Sequence, residues 1–524
     1  MTGKIGEGKG LLIIHPPAAK ACEAPGGPAR LAGALTAGGV ACRLWDANLE
    51  GQLALMASAA QATCGDSDTW TRRAARHREA NLTALRSPEL YAHQDRYGRA
   101  VRDTNRLLWA AARPSGVRLN LVDYEDGRLN PVRSADLLAA AAEPAANPFH
   151  AWFAERLPEI LAEMPVSHVG LSINYLSQAL TAFAMIGHVR REYPSLRIIL
   201  GGGLVTSWMR RPGWRAPFGG LADGMIDGPG EAPLLALFGK GHAGGFDRPD
   251  FDGLPLAGYL APGVVLPYSA SSGCWWQRCS FCPELAEGTT YRPVPPGQVL
   301  ADLRALAERL RPALIHLLDN ALSPAILKAL AAEPPGAPWY GFARITEHLA
   351  DRDFCRRLRD SGCVMLKLGL ESGDAGVLKA LKKGIDPALA ATVLENLAEA
   401  GIATYVYLLF GTPAETAEAA RRTLAFTETH AGGIGFLNLA IFNLPAWGPE
   451  TDRLDTGAFY EGDLPLYRSF VHPQGWNRGE VRRFLEGEFK KAPAIAQILR
   501  RDPPYFTSNH APFLAMAASR QTRR

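Results

Sequence analysis

SSGCWWQRCSFCPE, residues 271–284, places Cys274, Cys279 and Cys282 within nine residues, although the chain has only eight cysteines. The stretch leaves a short apolar strand read at residues 264–269. Three thiolates on one strand-end loop suffice to hold three irons of a [4Fe–4S] cube and leave the fourth iron open. Structural zinc asks for four ligands, and the nearest histidine is His316, one strand away. A dithiol redox pair leaves Cys274 unexplained. The spacing favours the cluster and keeps zinc and redox thiols as alternatives. The other five cysteines (Cys22, Cys42, Cys64, Cys355, Cys363) are scattered and read as small buried residues.

Downstream of the loop, apolar strands at 314–318, 339–343, 364–370, 404–410 and 435–442 alternate with helical segments. Each strand ends in a polar or glycine tip: Asp319-Asn320, Arg344, Glu371-Ser372-Gly373, Gly411-Thr412-Pro413 and Asn443-Leu444-Pro445. Six βα units are fewer than a closed eight-unit barrel needs, so a partial barrel is expected over 266–454. In such folds the chemistry sits at the carboxyl ends of the strands.

Upstream, strands at 11–14, 40–45, 168–173, 197–200 and 224–226 alternate with helices at 29–37 and 178–192. That pattern implies a doubly wound, Rossmann-like parallel sheet over 1–240. An Arg-, Ala- and Leu-rich stretch, about 50–165, reads as a helical insertion. Residues 241–265 are rich in Gly, Pro and Asp and read as a linker. Residues 455–524 read as a small, mostly helical region. Its aromatics (Phe459, Tyr460, Tyr467, Trp476, Tyr505, Phe506) either fill a core or line a pocket, and core is the commoner use.

With 524 residues, three to four domains are expected. The charged fraction is 21%, and 56 Lys+Arg oppose 52 Asp+Glu. This near-balance gives no reason to expect a nucleic-acid or anionic-membrane partner. No apolar run approaches the roughly 20 residues of a membrane span. The N-terminal apolar run is too short for a signal peptide, so a cytoplasmic protein is expected.

The cysteine loop resembles that of the radical S-adenosylmethionine (SAM) superfamily, with Phe281 as the aromatic before the third cysteine. It departs by one residue, Cys274-x4-Cys279-x2-Cys282. LLDNALSP (317–324), YGFARITEHL (340–349), LKLGLESGDAGVLKALKKGI (366–385), YLLFGTPAETAE (407–418) and FNLPAWGPET (442–451) resemble the later strand motifs of that superfamily, in order. The resemblance implies a [4Fe–4S] cluster on the three cysteines and SAM on its open iron. Asp319 and Asn320 would accept from the SAM ammonium, and Arg344 would pair with its carboxylate. Glu371, with Ser372 beside it, would take the ribose, and Gly411 and Thr412 would approach the adenine. Arg344 as a surface ion-pair residue and Glu371 as a helix-start carboxylate are the plain alternatives. It also implies reductive cleavage of SAM to a 5′-deoxyadenosyl radical, with flavodoxin or ferredoxin as electron donor.

IIHPP (13–17), VGLSINYLSQAL (169–180), IILGGGLVTSW (198–208) and DGMIDGPGEAPL (223–234) resemble the cobalamin-binding domain often fused ahead of radical SAM domains. The alternative is a Rossmann-like domain without that cofactor. No Asp-x-His-x-x-Gly sequence is present, so cobalamin, if bound, is expected base-off. The corrin would lie near His15, Pro16, Ser172, Asn174, Tyr175, Gly202, Gly203 and Val205. His168 begins a strand and stands at the wrong end of the sheet. Trp275 and Trp276 either pack at a domain interface or wall the space between two cofactors. The tandem implies a cobalamin-dependent methyltransferase acting on a small molecule or peptide. The rivals are a radical rearrangement, cyclisation or peptide-maturation enzyme, and a non-catalytic Fe–S or corrinoid-binding protein.

Overall fold

The computed structural model describes residues 10–62, 68–242, 244–503 and 510–521. Cys64, Tyr505 and Phe506 lie outside them. Contacts divide the chain into two units. The first runs to Val265 and takes in Glu461–Pro465; the second holds Leu266–Tyr460, Leu466–Pro503 and the C-terminal helix Ala511–Gln521.

The first unit is built on five strands: β1 Gly10–Ile14, β2 Cys42–Trp45, β3 Val166–Ser172, β4 Arg197–Gly201 and β5 Gly224–Met225. All pair parallel, in the order 2-1-3-4-5. Burial on both faces explains the unbroken run Leu11–Ile14, each residue 2% exposed or less. The helices Gly26–Ala37 and Leu176–Glu192 connect strands of the sheet. The order reverses between β1 and β3, where ligands of such sheets bind outside the strand ends.

The segment between β2 and β3 is mostly helical, with Ala47–Ala62 and Gln94–Ala112 its longest helices. It also carries an antiparallel hairpin, Val117–Leu119 against Tyr124–Asp126, too short to register as alternation. The Gly/Pro-rich stretch after residue 240 packs as a strap. Tyr259, Leu260 and Ala261 are buried, the Tyr259 hydroxyl donates to Asp46 Oδ2 at 2.6 Å, and Leu260 N–H donates to Ala21 O at 2.8 Å. An apolar triplet is what pins an otherwise loop-like composition.

The second unit holds six strands in sequential order: β6 Val265–Tyr268, β7 Leu314–Leu322, β8 Trp339–Ala343, β9 Cys363–Glu371, β10 Ala403–Phe410 and β11 Phe436–Ile441. β7 to β11 pair parallel. The sheet is the partial barrel that the strand count predicts. Its register shifts twice near the tips, between Leu317 and Leu322 of β7 and between Gly369 and Glu371 of β9. Such irregularities re-aim side chains beside functional sites, here Asp319–Asn320 and Glu371.

The region 455–524 is helical as expected, with Arg478–Gly487, Pro493–Leu499 and Ala511–Gln521 its α-helices, and a short sheet precedes them. Leu444–Pro445, Tyr467–Phe470 and Thr456–Ala458 form a three-stranded antiparallel sheet before the helices Arg478–Gly487 and Pro493–Leu499. Strands of two to four residues, partly exposed, carry no periodic signal. Trp476 is buried on Phe484, as a core aromatic should be, while Phe459 meets Tyr460 and Tyr467 edge-on, and Tyr460 stays 41% exposed.

Candidate functional site

The cysteine loop leaves β6 through Ser271–Ser272, which pairs with Arg292–Pro293. Asp319 secures this exit. Its Oδ2 accepts from Ala270 N–H at 2.9 Å and its Oδ1 accepts from the Ser271 hydroxyl. The expectation that the strand ends at residue 318 is corrected: β7 continues to Leu322, so Asp319 lies within the strand, 4% exposed. Its carboxylate holds the loop's base. Asn320 is exposed and donates to Glu284 Oε1 at 2.8 Å.

Cys274, Cys279 and Cys282 line one cavity of about 220 Å3, with Gln277, Arg278, Glu284 and Thr289 among its walls. Burial pushes the Cys282 thiol up to about 11. Burial also raises Cys279, outweighing the opposite pull of Lys383 and Arg344. Among the described residues no three His, Cys, Asp or Glu side chains converge closely enough to hold a single metal ion. Three spaced thiols around a cavity of this size fit a polynuclear cluster with thiolate corners.

A distant segment, 381–384, clamps this loop. Leu381 O accepts from Ser280 N–H at 3.1 Å, Lys382 O from Trp276 Nε1 at 3.1 Å, and Lys383 O from Arg344 Nη2. Gly384, at φ +69°, leaves the space that the Trp276 ring fills. Trp275 Nε1 donates to Leu322 O at 3.2 Å. Both tryptophans are thus spent on tying the loop to the barrel tips. Phe281 packs on Val377, Leu381 and Ala419.

Arg344 is buried, with its guanidinium carbon 4.1 Å from the centre of the Trp276 ring and its Nη1 3.8 Å from Cys279 Sγ. Burial lowers its pKa, and its Nε is buried with no hydrogen-bond partner among the described residues. Glu371 is a non-glycine residue at φ +69°, a conformation that costs energy. Its Oε1 accepts from Lys383 Nζ at 2.7 Å. Ser372 is fully buried against Thr423 Oγ1 at 3.0 Å and accepts from Asp374 N–H. It therefore anchors the β9 tip to helix Ala417–Thr429 and does not reach the site.

Gly411 turns the chain at φ +76°, and its N–H donates to Glu415. Thr412 is fully buried; its carbonyl accepts from His472 Nε2 at 2.8 Å, and its hydroxyl has no partner among the described residues.

In the first unit the candidate residues gather at the ends of β1, β3 and β4. Gln178, fully buried, joins them. Its Nε2 donates to Pro16 O at 2.7 Å and lies 3.5 Å from His15 Nδ1, while its Oε1 accepts from Asn174 N–H at 2.8 Å and Tyr175 N–H at 3.2 Å. Asn174 Oδ1 accepts from Gly203 N–H at 2.9 Å, and its amide donates to Ser172 Oγ at 3.1 Å. Gly202, at φ +102°, lies against Ile173: a Cβ there would stand 2.5 Å from Ile173 O. Tyr175 is 58% exposed, whereas Val205 is fully buried. His15 is buried, and burial lowers its pKa. His168 packs its ring on Phe238. Gln178→Ala removes three well-made bonds at once. The expected cost is about 2–3 kcal/mol by urea unfolding of the chain. A loss below about 0.5 kcal/mol would show that the loops hold without it.

Residues 268–427 match the family model described as the radical SAM superfamily. The chain carries a radical SAM domain. No curated protein matches the sequence. Among solved structures, the radical S-adenosylmethionine methyltransferase TsrM from Kitasatospora setae, with cobalamin and a [4Fe–4S] cluster bound, is 20% identical. That match covers 61% of this chain and 73% of TsrM, with a TM-score of 0.44. The cobalamin-dependent S-adenosylmethionine radical enzyme OxsB, with aqua-cobalamin bound, is 16% identical over 55% of this chain, with a TM-score of 0.42. The chain spans 46% of the length of OxsB. Methylornithine synthase PylB is 14% identical, over 38% of this chain and 59% of its own, with a TM-score of 0.27.

Within the radical SAM domain, the motif reading missed Lys383, Gly384 and Glu415. Glu415 is fully buried; Trp476 Nε1 donates to its Oε2 at 3.0 Å, and its Oε1 has no partner among the described residues. Burial pushes its carboxyl up to about 7, against the pull of the Gly411 and Trp476 N–H groups. The folded state thus prefers the protonated acid. Its contribution is complete below about pH 4.5, the range of an unfolded glutamic acid, and is lost as pH rises through about 7. The chain is expected to lose up to about 3 kcal/mol between pH 5 and 8 from this group. Glu415→Gln should flatten that slope in melting curves, and an unchanged slope would assign it elsewhere.

Proposed function

We propose that the chain is a cobalamin-dependent radical SAM enzyme that methylates an unactivated carbon of a small molecule or peptide. The observation that carries the radical SAM part is the cavity lined by three thiols, with Arg344 beside it holding a buried N–H that has no partner among the described residues. Cys274, Cys279 and Cys282 would hold a [4Fe–4S] cluster. Arg344 would pair with the carboxylate of SAM, a role that its confinement by Trp276 and Lys383 O supports. Glu371 would accept from the ribose, and Gly411 and Thr412 would bring backbone toward the adenine. Bound SAM on a reduced cluster supplies one-electron cleavage of a sulfonium and hydrogen abstraction. A flavodoxin- or ferredoxin-type protein would be the electron donor.

The cobalamin part rests on the first sheet. Its strand order reverses between β1 and β3, the loops at those ends, His15–Pro16 and Ser172–Tyr175, are joined through Gln178, and Asn174 links them to Gly203. TsrM and OxsB, both solved with cobalamin bound, suggest the cofactor to be tried. Bound there, cobalamin would serve as a methyl carrier.

The test is anaerobic reconstitution with iron and sulfide, then SAM, hydroxocobalamin and candidate substrates. Deoxyadenosine, S-adenosylhomocysteine and a retained corrinoid together support the proposal. Deoxyadenosine without S-adenosylhomocysteine removes the methyltransferase reading and leaves a rearrangement, cyclisation or peptide maturation. Cofactors retained with neither product point to a binding protein.

A further inference from the structure

Lys383 is the cation nearest to the proposed ribose acceptor, and nothing in the strand-tip motifs assigns it a role. It stands 6% exposed, so its charge has been taken almost wholly out of water. Its ammonium lies 2.7 Å from Glu371 Oε1 and 5.6 Å from the centre of the Phe281 ring. Phe281 immediately precedes Cys282, so this ammonium stands at the edge of the cysteine loop.

The site is built for the pair. A Cβ at position 369 would stand 2.6 Å from Glu371 Oε1 and 2.7 Å from Lys383 Nζ, so Gly369 supplies the room that both charges occupy. Glu371 reaches its place only by adopting φ +69°, and Lys382 (φ +52°) and Gly384 (φ +69°) do the same on either side of Lys383. A buried ion pair is poor value as a stabiliser, because desolvation offsets most of the attraction. Two non-glycine residues held left-handed, Glu371 and Lys382, and a glycine where any Cβ would displace one of the charged groups are a large outlay for a device that stabilises little.

A carboxylate and an ammonium held side by side match a vicinal diol. The carboxylate accepts from the hydroxyl hydrogens and the ammonium donates to the hydroxyl oxygens. We propose that Lys383 is a SAM-recognition residue that works with Glu371 to read the two ribose hydroxyls. This rests on the radical SAM reading above. Lys383 acts by binding and positioning the ligand and takes no part in bond cleavage.

The test uses the full chain, reconstituted anaerobically, with SAM and its 2′-deoxyribosyl analogue as probes. Equilibrium dialysis gives both dissociation constants, and electron paramagnetic resonance of the reduced cluster shows whether each probe perturbs it. The wild-type chain should bind SAM at least tenfold more tightly than the analogue. Lys383→Met should weaken SAM roughly ten- to a hundredfold, the value of a charge-assisted hydrogen bond, and weaken the analogue much less. Lys383→Arg, which keeps the charge, should restore most of the preference for the diol. Equal affinity of the wild-type chain for SAM and the analogue overturns the inference, and needs no variant. So does a Lys383→Met chain with normal cluster content that binds SAM as the wild type does, or that loses both probes equally. Failure of the wild-type chain to take up a cluster or bind SAM would instead overturn the underlying reading.

Discussion

Cys279→Ala, reconstituted anaerobically, is expected to lose most of its iron and sulfide, and deoxyadenosine formation should fall by about three orders of magnitude or more. The reason is geometric as well as chemical. Cys279 Sγ is the thiol that Arg344 touches and the one on which Lys383 and Glu371 act electrostatically. Removing it takes away one corner of the site and the contact that joins the corner to the strand tips. Cys355→Ala and Cys363→Ala are the matched controls. Both thiols are fully buried, Cys355 donates to Leu349 O at 3.3 Å, and neither lines the cavity. They should keep a full cluster and cost about 1 kcal/mol of stability. Loss of the cluster in either control, or normal charge-transfer absorption in Cys279→Ala, would contradict the assignment of ligands.

Gly384→Val should be nearly as damaging, although residue 384 would touch neither iron nor SAM. A β-branched residue resists a φ of +69°. Its Cβ would also enter the Trp276 ring. Trp276 would then have to leave Lys382 O and the face of Arg344, losing a hydrogen bond and a cation–π contact. Together these losses are expected to reach about 3–5 kcal/mol. The cluster should become labile, bleaching at least tenfold faster under chelator. Gly384→Ala should fall between. Trp276→Ala, added to Gly384→Val, should restore part of the lost stability, since the second change removes the clash made by the first. Cluster lability unchanged from the wild type would show that the clamp is dispensable.

The second unit's strands were legible because apolar runs there end in abrupt polar or glycine tips, and the cysteine spacing named the loop. What failed was finer than a strand. Asp319 falls in β7 because that strand bulges and runs on, and Ser372 turns toward helix Ala417–Thr429 because the tip of β9 shifts register. Neither irregularity has a composition signature. Lys382-Lys383-Gly384 was visible as two charges before a glycine, which reads as an ordinary solvated turn. Only the fold shows one of those charges 6% exposed against Glu371. Gln178 was equally silent: a glutamine at the start of a helix looks like a surface residue until two separate loops are seen to bond to it.

The clamp on the cysteine loop also orders events during synthesis. Trp276 and the carbonyl that holds it are 106 residues apart in sequence. A chain still growing from the ribosome therefore exposes all three thiols well before the segment that shapes their loop exists, and β7, β8 and β9 must form in between. At typical elongation rates of about 5–20 residues per second, that interval lasts roughly 5–20 seconds. A chain truncated before residue 384 would lack the segment that clamps the loop, and it is expected to present its three cysteines with no fixed spacing to offer a cluster.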